Sequence, residues 1–311
     1  MNRRSFLDAA AAGLAAVSVA TRPRAQAALP KMKITRVRIY RPPNLNTLFN
    51  QSDMVVTVET DAGITGIGEG GSKDTLEQCA GRLIGQDPQY IEHLWQDMAR
   101  AFFYPPGREK LHALGALDLA LWDIRGKALK LPVHAVLGGM VRNYCECYNT
   151  AGIIPGIRQG MSIKERAQAT IGAGYRAFRM DAASTGGGSS TYNTRERLNK
   201  MYEDCVQARE GVGKNGDWVI DFHQRFDLSD AMRGCNLLEP LAPFFIEDPV
   251  RTEAFQEDLP ILRRTVKVPM AAGEEWGYRW DFNKLVEAHD IDYVRATLPN
   301  VGGITEMMKV A

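Results

Sequence analysis

Asp221, Glu247 and Glu274 each close a short apolar run, in WVID (218–221), PFFIED (243–248) and VPMAAGE (268–274), and they stand 26 and 27 residues apart. A strand, a helix and their two loops occupy roughly 25 residues, as when about 250 residues build eight strand–helix units. The spacing therefore puts the three carboxylates at the C-terminal tips of three successive parallel strands. In a (β/α)8 barrel, active sites are assembled at that end. Three oxygen donors, with no cysteine or histidine among them, suit a hard divalent cation, most simply Mg²⁺. His223 follows Asp221 by two residues in Asp221-Phe222-His223-Gln224-Arg225, so a continuing strand would present both on one side.

The elements that must carry these groups follow a regular rhythm from Tyr144 onward. Candidate strands at 144–150, 175–181, 217–221, 243–247, 269–274 and 291–297 alternate with helical stretches, the signature of a parallel sheet or barrel. That makes six βα units, whereas a closed barrel needs eight, so the expected fold is a barrel truncated after its sixth unit. The text Ile304 to Val310 is helical and stops without a cap. The expectation is that the natural protein runs about 60–110 residues longer, two βα units and a tail. On that reading the 311 residues alone, with open strand edges, aggregate or melt without cooperativity.

Upstream, KITRVRIYR and DMVVTVETDAGITGIGEGG alternate with period two, and Asp61-Ala62-Gly63 makes a short turn, so an antiparallel meander is expected. Residues 74–100 and 109–130 have helical periodicity, with Leu117, Ala120, Leu121 and Ile124 on one stripe. Pro132 and Leu137-Gly138-Gly139 close this α+β module near residue 140. The expected division is thus 30–140 for the α+β domain and 141–311 for the incomplete barrel.

With 45% apolar and 24% charged residues and a net charge of +1, the composition is that of a globular protein. Near-neutral charge gives no footprint for nucleic acid and no polybasic membrane patch. The five cysteines (79, 145, 147, 205, 235) are too scattered for a disulfide scaffold, and all read as packing residues. Cys145 and Cys147 would share one face of a strand. Residues 1–27 are a different kind of text: Arg3-Arg4-Ser5-Phe6-Leu7, an alanine-rich run and Ala25-Gln26-Ala27. This has the form of an export signal, with paired arginines of the twin-arginine type. The mature chain is expected to begin near Ala28 and to work in the periplasm, off the membrane.

Several motifs resemble the enolase superfamily, in its mandelate racemase and muconate lactonising branch. They are Ala116-Leu117-Asp118-Leu119-Ala120-Leu121-Trp122-Asp123, Leu137-Gly138-Gly139, Ile246-Glu247-Asp248-Pro249, Ala272-Gly273-Glu274 and Val301-Gly302-Gly303-Ile304-Thr305. The resemblance spans about residues 33–311. It implies an N-terminal capping domain over the mouth of an enolase-type (β/α) barrel, with Asp221, Glu247 and Glu274 as Mg²⁺ ligands. Shared by such enzymes is removal of the proton next to a carboxylate, with the ion neutralising the charge that develops.

Departures from the family pattern narrow the reaction. Many relatives carry Lys-x-Lys at the end of the second barrel strand, where this chain has Arg179-Met180-Asp181. Arginine stays protonated, so Arg179 positions an anion or stabilises charge rather than acting as a base. Thr297 occupies the racemase aspartate position, and no cycloisomerase lysine stands in Glu275-Trp276-Gly277-Tyr278-Arg279. Asp-Phe-His-x-Arg resembles the acid-sugar dehydratases of the galactonate and mannonate type, which implies His223 as general acid and Arg225 as a substrate ligand. For the base, Tyr192 beside Arg195 in the Gly/Ser-rich loop from Ala182 to Thr194, Asp181, and a histidine on a seventh strand all stand open. His93, His112, His134 and His289 read as structural.

The expectation is a Mg²⁺-dependent lyase that removes water from a small-molecule sugar acid, an aldonate or aldarate, in a homo-oligomer. The alternatives are a racemase or epimerase of the same superfamily, and a non-catalytic carboxylate-binding protein or inactive fragment. Substrate stereochemistry is expected to depend on the segments Pro42–Ser52 and Phe102–Arg108.

Overall fold

Period-two alternation builds the first sheet. Strands β1 (Ile34–Tyr40), β2 (Val55–Thr60) and β3 (Thr65–Glu69) form an antiparallel meander in the order β1-β2-β3. Val56, Val58 and Thr60 of β2 point into the core, and the residues between them do not. The computed structural model describes residues 29–41, 54–101, 107–149, 154, 156–182, 193–251 and 256–311. Residues 1–27, Tyr192, all of 42–52 and most of 102–108 lie outside them.

Helices α1 (Lys73–Ala80), α2 (Ile91–Arg100) and α3 (Arg108–Leu129) cover one face of the meander. The stripe Leu117, Ala120, Leu121 and Ile124 of α3 is wholly buried there. Helix α3 rests directly on β3 because Gly66 and Gly68 face it; a Cβ at either would run into the carbonyl oxygens of Ala120 and Ala116. The edge of β3 is blunted from the same helix, since Asp123 Oδ2 accepts the Ile67 N–H at 2.9 Å. A short helix, α4 (Val133–Val136), follows.

The second sheet is parallel. Its strands are β4 (Tyr148–Asn149), β5 (Ala177–Asp181), β6 (Asp217–Asp221), β7 (Phe245–Glu247), β8 (Met270–Ala272) and β9 (Tyr293–Val294), in simple sequential order. Helices α5 (Ile163–Gly172), α6 (Thr194–Val212), α7 (Leu228–Leu238), α8 (Asp258–Arg263) and α9 (Arg279–Glu287) connect them. Phe178, Met180, Trp218, Ile220, Ile246 and Met270 pack one face of the sheet against these helices. Tyr148, Val219, Phe245 and Ala271 form a smaller apolar layer on the other face. Alternation along each strand thus separates the helix-covered core from the face that carries Asp181, Asp221 and Glu247.

All six expected strands are present, and several are shorter than expected. Of the described residues 144–149, Tyr148 and Asn149 pair with β5, and Cys145 and Cys147 precede the strand and are exposed. The reading of all five cysteines as packing residues is corrected accordingly: it holds for Cys79, Cys205 and Cys235, which are buried. At the other end, β9 stops at Val294 because the chain turns into α10 (Leu298–Val301), which has proline in its first turn.

The last helix, α11 (Ile304–Val310), starts on a residue from the other sheet's unit. Asp118 of α3 accepts the Thr305 N–H at 3.0 Å and also bonds the Thr305 hydroxyl, so it caps α11 from outside the helix. Trp122 Nε1 donates to Thr305 Oγ1 at 2.9 Å, and Trp95 Nε1 donates to the Gly302 carbonyl at 2.7 Å. These contacts account for the motif Ala116–Asp123: Asp118 and Trp122 reach across to α11, while Asp123 turns to β3.

Burial pushes the Asp118 carboxyl up to about 7, so the folded chain holds a proton that the unfolded chain releases nearer the ordinary carboxylate value. Between those limits the native state binds more protons, and stability falls as pH rises from about 4 to 7, by at most about 1.4 kcal/mol per pH unit. Asp118→Asn keeps an acceptor and cannot titrate. Its melting temperature should lose less than the wild type's between pH 4 and pH 7; parallel curves would remove Asp118 as the cause.

Candidate metal centre and acid–base site

Strand register brings the acids together. Asp181, Asp221, Glu247, Ala271 and Tyr293 are paired across adjacent strands and form one rung. One rung below lie Arg179, Val219 and Phe245. Asp221 and Glu247, the last residues of β6 and β7, have no exposed side-chain surface. Oxygens of Asp221, Glu247 and Asp248 lie within 4.8 Å of one another, and Asp181, Asp221 and His223 form a second such group.

Two buried carboxylates side by side repel each other and lose hydration, so the surrounding groups are cationic or donate protons. Arg179, only 3% exposed at its side chain, bonds Asp221 Oδ2 and reaches Asp181 Oδ1 at 2.6 Å. Its Nε lies 3.9 Å from Glu247 Oε2. Arg295 donates from Nε to Glu247 Oε1 at 2.5 Å and from Nη2 to Glu274 Oε1 at 3.0 Å. Tyr148 completes the set, its hydroxyl 3.2 Å from Glu247 Oε2. Burial, then the Asp221 charge, pushes the Glu247 carboxyl up, and Arg295 and Arg179 pull it back. For Tyr148 burial dominates and raises the phenol to about 12, so it stays protonated and donates to Glu247. Asp248, 1% exposed, is driven well above the usual carboxylate range by burial; its Oδ1 accepts the Gly273 N–H at 3.0 Å.

His223 reaches the acids by a turn rather than by a continuing strand. Both His223 (φ +49°) and Gln224 (φ +55°) are left-handed, a conformation that costs roughly 1–2 kcal/mol per residue. The turn is held by His223 N–H on Asp221 Oδ1 at 2.6 Å and Gln224 N–H on the Asp248 carbonyl at 2.9 Å. It places His223 Nε2 at 2.9 Å from Asp221 Oδ2 and Nδ1 at 3.5 Å from Asp181 Oδ1. The hydrogen bond to Asp221 raises the imidazole pKa, with burial opposing it.

The structure therefore brings together Asp221, Glu247, Arg179, Asp181 and His223. Glu274 lies two residues past β8, after Gly273 (φ +121°), and joins Glu247 through Arg295. Arg225 is exposed, its carbonyl accepting from Arg197 at 3.4 Å. Sequence reasoning missed Arg295, Tyr148 and Asp248. Period-two counting supplies a signal for the first, since Arg295 stands two past Tyr293 on the acidic rung. Asp248 follows Glu247 in the motif but turns inward through a positive φ of 41°, which no local pattern announces. As an all-oxygen set with buried negative charge, Asp221 and Glu247, with Glu274 nearby, fit a hard divalent cation.

This six-stranded parallel half-barrel sheet, with its N-terminal α+β unit and its acids at the strand tips, has the architecture of the enolase type. Residues 32–138 match the N-terminal domain of the mandelate racemase / muconate lactonizing enzyme family, and residues 162–311 match the family described as enolase C-terminal domain-like. A D-galactonate dehydratase from Xanthomonas oryzae pv. oryzae is 36% identical over 289 residues, covering 90% of this chain and 71% of that protein. A member of the enolase superfamily from Salmonella Typhimurium superposes with a TM-score of 0.80 at 26% identity, over 90% of this chain and 77% of its own. An enolase from Agrobacterium radiobacter, whose structure holds sodium and L-malate, gives 0.75 at 27% identity, over 89% and 70%. The chain belongs to the enolase superfamily, in its mandelate racemase / muconate lactonizing enzyme branch.

Glu247→Gln keeps the side chain's shape and removes its charge. Calorimetric titration should show divalent-cation affinity falling at least about tenfold, because an amide is a poorer ligand for a hard ion. Unchanged affinity would remove Glu247 from the cation site.

Proposed function

We propose that the chain is a Mg²⁺-dependent dehydratase of a sugar acid. The observation that carries this reading is the packing of an acid-bound imidazole against a buried carboxylate rung: His223 lies 2.9 Å from Asp221 and 3.5 Å from Asp181. The similarity to a D-galactonate dehydratase supports the substrate class.

In this reading Asp221, Glu247 and Glu274 would hold Mg²⁺, and the bound ion would supply positive charge to offset the charge that develops at the substrate carboxylate. His223, its cationic form favoured by Asp221, gives a proton to the β-hydroxyl, which departs as water. Arg179, buried and bonded to both Asp181 and Asp221, remains charged throughout and stabilises the developing negative charge. Arg225, exposed beside the His223 turn, binds substrate oxygens. The α-proton passes to Asp181, whose half-exposed carboxylate is aimed by Arg179, or to Tyr192. Loss of the α-proton and the β-hydroxyl leaves an enol, which tautomerises to a 2-keto-3-deoxy acid. The paired arginines and Ala25-Gln26-Ala27 further support export through the twin-arginine route, with the mature chain in the periplasm. Cell fractionation with Arg3→Lys and Arg4→Lys replaced together tests that proposal: it should hold the protein in the cytoplasm.

His223→Asn should slow dehydration by about 10²–10⁴-fold, the scale for loss of a general acid. Exchange of the α-proton with solvent deuterium, followed by NMR, should persist because a separate base performs it. Loss of exchange along with dehydration would make His223 the base and overturn the assignment. Absence of any keto-deoxy product across a panel of aldonates and aldarates would overturn the dehydratase reading as a whole.

A further inference from the structure

Glu247 has its two oxygens served by different strands. Arg295, just beyond β9, holds Oε1 at 2.5 Å, and the hydroxyl of Tyr148, from β4, meets Oε2 at 3.2 Å. The tyrosine is a rigid support. Its ring stands edge-on to Phe245, with centroids 6.3 Å apart and planes at 72°, and its backbone is in register with Ala177 of β5. Phe245 lies two residues before Glu247 on the same face of β7. The phenol ring therefore passes the phenylalanine and delivers its hydroxyl to the carboxylate one rung above. A carboxylate oxygen accepts and cannot donate, so the phenol proton is directed at Glu247 Oε2.

From this geometry we infer that Tyr148 is a positioning residue for the divalent cation, fixing Glu247 Oε2 and so the orientation of the carboxylate that receives the ion. The inference rests on the reading of Asp221, Glu247 and Glu274 as the cation site. With Arg295 on one oxygen and Tyr148 on the other, rotation about the last side-chain bond of Glu247 breaks both contacts. A ligand set in advance loses less freedom when it binds. Partners that orient a metal-binding group are worth about 10–100-fold in affinity, and a single neutral donor belongs at the lower end, about tenfold.

Tyr148→Phe tests the inference, since it removes one oxygen and retains the ring against Phe245. Titration with Mn²⁺, read by electron paramagnetic resonance without substrate, should give a dissociation constant about tenfold weaker than wild type. The variant should keep the wild-type far-ultraviolet circular dichroism, which shows that the fold is retained. Equal Mn²⁺ constants for the two proteins would overturn the inference. So would a raised KM for the sugar acid with an unchanged Mn²⁺ constant, which would make Tyr148 a substrate contact. Failure of the wild-type chain itself to bind Mn²⁺ is a separate result that would overturn the cation reading on which the inference stands.

Discussion

Two carboxylates, Asp221 and Glu247, are buried without exposed surface on adjacent strand ends, and the rest of the site answers that constraint. Like charges out of water are tolerated only among opposite charges and directed donors. Arg179 comes from the rung below, Arg295 from beyond the next strand but one, and Tyr148 from the first strand of the sheet. Asp248, alongside, is pushed toward its neutral form by the same burial. The strained turn at His223 is held by bonds to this same cluster, one to Asp221 and one to Asp248. A site of this kind is shaped by charge compensation before any substrate enters it.

Much of this was legible in the sequence because strands repeat at fixed intervals. The 26- and 27-residue spacing placed Asp221 and Glu247 on one rung, and the six strands appeared in order. Glu274 was harder, because the spacing counts residues and cannot see that β8 ends at Ala272 and that Gly273 redirects the chain. His223 was placed beside Asp221 for the wrong local reason: two left-handed residues, rather than an extended strand, bring it there. Tyr148 gave no warning, since its contact with Glu247 joins positions 99 residues apart. Cys145 and Cys147 were misread because strand character was extended beyond the two residues that have a pairing partner.

The two layers of the molecule are tied by side chains that also define its most specific motif. Gly66 and Gly68 let α3 lie close on the meander, and the opposite side of that helix reaches α11 through Asp118 and Trp122. The same helix is therefore packed on two fronts. Its near-continuous burial from Leu111 to Leu121 follows from that double role, where a surface helix would show a single apolar stripe.

The Asp118 cap spans 187 positions of sequence. The first hydrogen-bonded turn of a helix is costly, and in α11 that turn is bonded by Asp118 of α3 rather than by a side chain of its own N-cap. Its start is supplied by α3, so the order of α11 depends on a helix of the amino-terminal unit. Contacts of such long sequence separation slow folding, since loop-closure entropy is spent before they form. The barrel sheet's last helix is thus tied by Asp118 and Trp122 to the amino-terminal unit.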